Sequence, residues 1–214
     1  MAGKQNKVVT LIITSLILLF ILVVLPVGSW YYLKEGLDYR MTKIGELKQY
    51  GTLPDFSYTT LWNKPITAAD IKDKVVVANV LDLQNGEMSR SFGQILEKLH
   101  IQFDERKDVC FLIHVLDTVG VNAENFARKY QLEDATQCYF IPTLATDLKH
   151  LASDYHLSAD SLYSNFTIID TKRMVRKHYN VRAEAEVKHL VEHLALLLPL
   201  QKREGITLQR EREK

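Results

Sequence analysis

Cys110 and Cys138 are the only thiols in the 214-residue chain, and each lies in an apolar stretch that reads as a buried strand. A thiolate is the nucleophile of disulfide exchange and a ligand for soft metal ions, so either chemistry would have to run through them. Buried free cysteine behaves as a small hydrophobe, and two cysteines without a close motif make no disulfide framework. A bond between them requires Cα atoms within ~7 Å. Cys110 and His114 share strand parity and so point to one side of a sheet. Under a covering helix, that thiol and imidazole are expected to be packing. Asp117 ends the same run, at the strand edge where sites of open α/β sheets form, or it caps the turn that follows. His189 and His193 stand four apart with Glu192 between them, a spacing that aligns zinc ligands on one helix face. The apolar stripe Val187, Leu190, Val191, Leu194 and Leu198 lies to the other side, and no third ligand is in view. A solvated face is expected there.

Other chemistries find no support. There is no GxGxxG or GxxxxGK[ST] loop, so Asn85-Gly86 reads as a turn that uses glycine for backbone freedom. There is no GxSxG elbow, and no carboxylate pair stands out. The sequon Asn165-Phe-Thr167 falls in a predicted strand. Lys+Arg 27 against Asp+Glu 26 leaves a net charge of +1, which gives no field for nucleic acid or an acidic substrate.

The elements that must position these residues follow from periodicity. Val8–Gly28 carries no charge and is long enough to cross a membrane, which takes ~20 apolar residues. It exceeds the 7–15 residues of a signal-peptide core and lacks a good cleavage site, so an uncleaved anchor is expected. Trp30, Tyr31 and Tyr32 suit an interfacial belt. Lys4 and Lys7 on one side face Lys34, Arg40, Lys43 and Lys48 on the other, so charge leaves the orientation open. Residues 29–53 read as a juxtamembrane spacer with a short helix over Met41–Gln49, residues 54–200 as one domain, and 201–214 as a charged tail.

Within the domain, Phe56–Thr60 alternates as a strand and Thr67–Asp70 resembles a one-turn helix. Val75–Leu81 and Val109–Leu116 are continuous apolar runs, the mark of strands buried on both faces. Ser91–Leu99 and Asn122–Tyr130 have helical spacing. Cys138–Ile141 is a strand stopped by Pro142. Leu144–His156 reads as a helix, Ser158–Ser161 as a loop, Asn165–Asp170 and Met174–Asn180 as a hairpin, and Glu184–Leu198 as a closing helix. This order predicts an α/β, thioredoxin-like domain: a central mixed sheet flanked by helices, preceded by one N-terminal transmembrane helix.

From about Pro54 to Pro199 the chain resembles the Sco/SenC family, membrane-anchored thioredoxin-fold copper chaperones of cytochrome oxidase assembly. The resemblance rests on Lys74–Asn79, on Phe111-Leu-Ile-His-Val-Leu-Asp117, and on Asn165-Phe-Thr-Ile-Ile-Asp170 followed by Val175-Arg and Tyr179. It implies a Cu(I) site of a Cys-x-x-x-Cys pair and a distant histidine. Those positions fall on Asn85, Ser89 and, near the histidine, Leu162, so the chain reads as a divergent member without copper ligands. Arg90 stands where the family has a proline. An amide, a hydroxyl and an isobutyl group cannot replace two thiolates and an imidazole, nor support disulfide exchange.

The expectation is therefore a non-catalytic scaffold or accessory factor with no copper cofactor. It would sit in the inner (cytoplasmic) membrane by a single pass, its domain on the periplasmic side. The resemblance implies a respiratory oxidase subunit or assembly factor as partner, and Leu83–Arg90 is the expected contact surface. Two alternatives stand beside it. One is a Cu(I) chaperone whose ligands are relocated among Cys110, Cys138, His114 and His156 or supplied by a partner. The other is a thiol oxidoreductase using Cys110 and Cys138.

Overall fold

A computed structural model describes residues 2–116 and 122–199, and the chain divides into two compact units after Glu46. The first unit is one uninterrupted helical rod. It comprises α1 (Ala2–Leu19), a π-helical turn (Phe20–Val24) and α2 (Leu25–Gly45). Leu25 N–H bonds to the Phe20 carbonyl, five residues back. The widening has a local cause. Pro26 lacks an N–H, and its ring crowds the carbonyl four residues earlier, so the backbone opens just before it. Leu11–Gly45 is long and apolar enough to cross a membrane, and none of its most apolar stretch is buried in protein.

The expected spacer is helical instead: α2 runs to Gly45 without a break. Residues 33–43 are mostly helix formers without proline, and each added residue gains a backbone bond once a helix is nucleated. The Thr42 hydroxyl donates to the Asp38 carbonyl at 2.8 Å, and Lys43 pairs with Glu46 at 3.0 Å.

The second unit begins at Leu47, seven residues before the expected Pro54, because the segment it opens is part of the sheet. Lys48 and Tyr50 donate their N–H groups to Arg176 and Val175, and Leu47 and Leu53 are buried. The strands are β1 (Gly51–Thr52), β2 (Ser57–Thr59), β3 (Pro65–Thr67), β4 (Val75–Leu81), β5 (Val109–Leu116), β6 (Cys138–Thr143), β7 (Asn165–Ile169) and β8 (Met174–Asn180). Six of them form one sheet in the order β1-β8-β7-β4-β5-β6. β4, β5 and β6 are parallel, while β7, β8 and β1 add antiparallel strands on the other side.

The helices of this unit are α3 (Gly86–Phe103), α4 (Ala123–Lys129), α5 (Leu148–Asp154), preceded by a 3₁₀ turn at Ala145–Asp147, α6 (Ala159–Leu162) and α7 (Glu184–Leu197). Because β4, β5 and β6 follow one another across the sheet, right-handed crossovers put α3 and α4 on the same face. α7 joins them there, and the core of that face includes Phe92, Leu96, Phe126, Leu190 and Leu194. α5, α6 and the β2–β3 hairpin cover the opposite face through Leu151, Tyr155, Leu162 and Ile66. All seven residues of β4 are buried, as its apolar run requires.

α3 carries a buried stripe of Met88, Phe92, Leu96, Leu99 and Phe103, each such side chain contributing roughly 1.5–3 kcal/mol on burial. Gly93 lies in this stripe because a Cβ there would stand 2.3 Å from the Tyr130 ring. A turn after β3 stands in place of the expected one-turn helix at Thr67–Asp70. Asp70 accepts from the N–H and hydroxyl of Thr67, both at 2.7 Å, which closes a turn after β3 rather than starting a helix. Leu61 N–H then bonds the Phe140 carbonyl at 2.9 Å, so the hairpin shields the edge strand β6.

Candidate functional site

The natural place for chemistry in such a sheet is where β4 runs into α3, because the loop and the first amides of the helix converge there. Asn85 is the N-cap of α3, and its Oδ1 accepts from Met88 N–H at 3.2 Å. Ser89 is buried, and its hydroxyl donates to the Asn85 carbonyl at 2.7 Å. The loop before them is held by Asp82, which accepts from Gln84 N–H at 3.0 Å. The two side chains thus serve the helix that positions them. The third position, Leu162, is not brought to them, but packs at 2 % exposure in the core of the opposite face. A shallow depression of about 230 Å³ opens beside Ser89, walled by Leu83, Arg90, Phe126, Lys129 and Tyr130.

The cysteines sit on neighbouring strands but on opposite faces of the sheet. β5 and β6 pair with Phe111 opposite Cys138. Cys110 belongs to the core under α5, and Cys138 to the core under α3 and α7. Their side chains therefore leave opposite faces of the sheet, and both are free and buried. Burial pushes the Cys110 thiol up to about 12, offset only in part by Lys74. Burial, aided by Asp134 and Cys110, raises the Cys138 thiol further. Neither sulfur is a thiolate at neutral pH, and no disulfide can join them in this fold. An oxidoreductase that used the pair would find both thiols buried, protonated and on opposite faces.

His114 shares the Cys110 face, but four residues along a strand separate the two by roughly 13 Å. Both of its ring nitrogens are engaged. The Thr143 hydroxyl donates to the Ile141 carbonyl at 3.1 Å, so its oxygen accepts from His114 Nδ1–H at 3.2 Å. Nε2 is then the acceptor for the Tyr155 phenol at 2.7 Å. Burial holds the imidazole down at about 3, so it is neutral, and burial also raises the Tyr155 phenol. This chain lies below a cavity of about 280 Å³ with Tyr58, Asp147, His150 and Asp154 at its walls. It can hydrogen-bond a guest, but offers no activated nucleophile.

The remaining sequence candidates are scattered. His156 is exposed, and its ring lies over Gly51, where a Cβ would come within 2.2 Å of Nε2. Asp117 and the tail 201–214 lie outside the described residues. The expected solvated face of α7 is half wrong. His189 is partly exposed, with Nδ1 3.1 Å from Glu192, but His193 is fully buried. The apolar arc of α7 is wide enough to take in His193 beside Leu190 and Leu194, and the Tyr179 phenol, 2.9 Å from its Nδ1, satisfies the ring there.

Two features escaped the sequence reading. Asn79, 2 % exposed in the middle of β4, has no hydrogen-bond partner for either amide atom. Its signal was a single polar residue in an otherwise apolar strand. His178 bonds the Thr167 hydroxyl at 3.1 Å and packs against Tyr50, and burial with the neighbouring His156 lowers it to about 4.

No protein-family model matches the sequence, and no curated protein matches it. Solved structures do match. A SCO1/SenC family lipoprotein from Bacillus anthracis str. Ames aligns with a TM-score of 0.52 at 20% identity, over 68% of this chain and 94% of that one. BsSco, described as a member of the Sco family of cytochrome c oxidase assembly proteins with a disulfide switch, gives 0.53 at 14% identity, over 68% and 92%. A thiol:disulfide interchange protein of the thioredoxin family from Chlorobium tepidum TLS gives 0.54 at 13% identity, over 71% and 98%. At these identities the likeness is one of fold, and the fold is thioredoxin-like.

Proposed function

We propose that this chain is a membrane-anchored, non-catalytic relative of the Sco proteins that acts through protein contacts, with respiratory oxidase assembly as its setting. The observation that carries the reading is the state of Asn85, Ser89 and Leu162. Two are consumed by the start of α3 and the third by the core of the other face. No copper and no thiol exchange is assigned to the domain. The apolar helix anchors it in the cytoplasmic membrane, and the domain faces the periplasm, as befits a partner that is assembled there. The contact surface is the loop Leu83–Arg90 and the depression beside it, where Arg90 and Lys129 supply charge and Phe126 apolar area.

The test is crosslinking of the intact protein in its native membranes, followed by a competitive Cu(I) titration of the purified chain under reducing conditions. Capture of an oxidase subunit or assembly factor, with no Cu(I) held against a weak chelator, is the expected result. Stoichiometric tight Cu(I) binding abolished by Cys110→Ser would replace the scaffold reading with a chaperone whose ligands are relocated.

A further inference from the structure

The far end of α3 holds a group of side chains that the proposed function leaves unused. His100 and Asp104 stand four residues apart on the last turns of the helix, and so on one face of it. Asp134 reaches them from the loop before β6. Its Oδ1 accepts the N–H and hydroxyl of Thr136 at 2.8 and 2.7 Å, which fixes the turn. Its Oδ2 faces His100 Nε2 at 3.9 Å. That separation is too long for a hydrogen bond. The Nε2 atom is nevertheless sealed from solvent without a hydrogen-bond partner, on a side chain only 12% exposed. Among the described residues, ligand atoms of His100, Asp104 and Asp134 all lie within 4.8 Å of one another.

A second sealed atom occurs at the same end of the helix. Gln137 is 4% exposed and spends its Nε2 on the carbonyls of Phe103 and Arg106, at 2.9 and 3.0 Å. Its Oε1 has no partner. Buried polar atoms without partners are costly and call for an explanation.

We propose that His100, Asp104 and Asp134 bind a divalent first-row transition ion such as Zn²⁺, with water in its remaining positions. One imidazole and two carboxylates are borderline to hard donors that suit such an ion and reject soft Cu(I). Ligands held tetrahedrally at ~2.0–2.2 Å from one ion stand ~3.3–3.6 Å apart, so a small closure of Asp134 and rotation of the exposed Asp104 complete the set. The thread from Thr136 to Asp134 is the kind of outer hydrogen bond that orients a metal-binding carboxylate. The carboxyl end of a helix also favours positive charge.

The experiment is titration of Zn²⁺ into the full-length chain in detergent, free of any histidine tag, against a chromophoric chelator. One equivalent per chain is expected, with His100→Gln and Asp134→Asn each weakening it by at least the roughly 10–100-fold that outer-sphere changes already cost. Asp104→Asn, at an exposed position that leaves the core intact, gives a weakening in the same direction and guards against a variant that merely unfolds. A wild-type chain that binds no Zn²⁺ below millimolar concentration would overturn the site. So would binding that survives all three changes, or that follows His189→Gln on α7.

Discussion

The two ends of α3 treat polar side chains in opposite ways. At its start, Asn85 and Ser89 are spent on the helix: one caps it through Met88 N–H and the other returns its hydroxyl to the Asn85 carbonyl. At its finish, His100 Nε2 is sealed and lacks a hydrogen-bond partner, with the Asp134 carboxylate 3.9 Å away and Asp104 close by. The helix start has the shape that a thioredoxin-like fold uses for chemistry, but its donors are inward-looking and hard. At the finish, ligand atoms of His100, Asp104 and Asp134 lie within 4.8 Å of one another. Location in a fold therefore says less about chemistry than the question of whether each polar atom already has a partner.

The contrast is sharpened most by placing soft donors at the start. The double variant Asn85→Cys/Ser89→Cys puts two thiols one helical turn apart, at the cost of the cap and of the Ser89 hydroxyl bond. Cu(I) affinity is expected to rise by roughly 10³-fold, since thiolate is the ligand this ion selects. Competition against a graded set of chelators measures it, and a wild-type chain that already binds as tightly would erase the distinction between the two ends.

A satisfied histidine supplies the next test, on the other face of the sheet. Burial holds His114 at about 3 in the fold, against about 6.5 when unfolded. Between those values the unfolded chain takes up the proton and the folded chain does not. The stability is thus complete above about pH 6.5 and is lost as pH falls toward 3. The loss at pH 5 is about 2 kcal/mol, read as a drop in thermal midpoint between pH 8 and pH 5. His114→Gln should flatten that slope, and an unchanged slope would show that burial does not keep the ring neutral. Asn79 is the exception beneath the otherwise satisfied helix start. Asn79→Val removes two unpaired atoms, and is expected to stabilise the domain by about 1–2 kcal/mol. A lower midpoint would mean that the amide has a partner in solution.

The sheet was largely legible from sequence because its pattern is strong. The expected bounds of Val75–Leu81, Val109–Leu116 and Met174–Asn180 are those of β4, β5 and β8. Continuous apolar runs and a hairpin partner leave few alternatives. The start of α3 was harder. Asn85-Gly86 reads as a turn, and only the bond from Met88 N–H shows Asn85 to be a cap, six residues ahead of the expected start at Ser91. Cys138–Ile141 was closed at Pro142, yet β6 runs to Thr143, because an edge strand tolerates a proline whose missing donor faces away from its neighbour. His193 was misplaced because its partner, the Tyr179 phenol, comes from another element. The group at the end of α3 was invisible for a similar reason. The spacing of His100 and Asp104 is visible in the sequence, but topology alone brings Asp134 to them.

The smallest effect tests whether Asn85 now serves the helix alone. Asn85→Ala removes the side-chain acceptor for Met88 N–H and should cost about 1 kcal/mol, whereas Asn85→Asp keeps the acceptor and adds a negative charge at the positive end of the helix. The expected order of thermal midpoints is therefore Asp at or above wild type, with Ala below both. Capture of the proposed partner by crosslinking is the second readout, because a cap acts on folding and leaves the surface of a folded domain nearly unchanged. If Asn85→Ala abolishes the crosslink while its midpoint stays at the wild-type value, the amide touches the partner directly. The start of α3 would then hold a contact residue, and the division between an inward-looking start and an open finish would fail at its first residue.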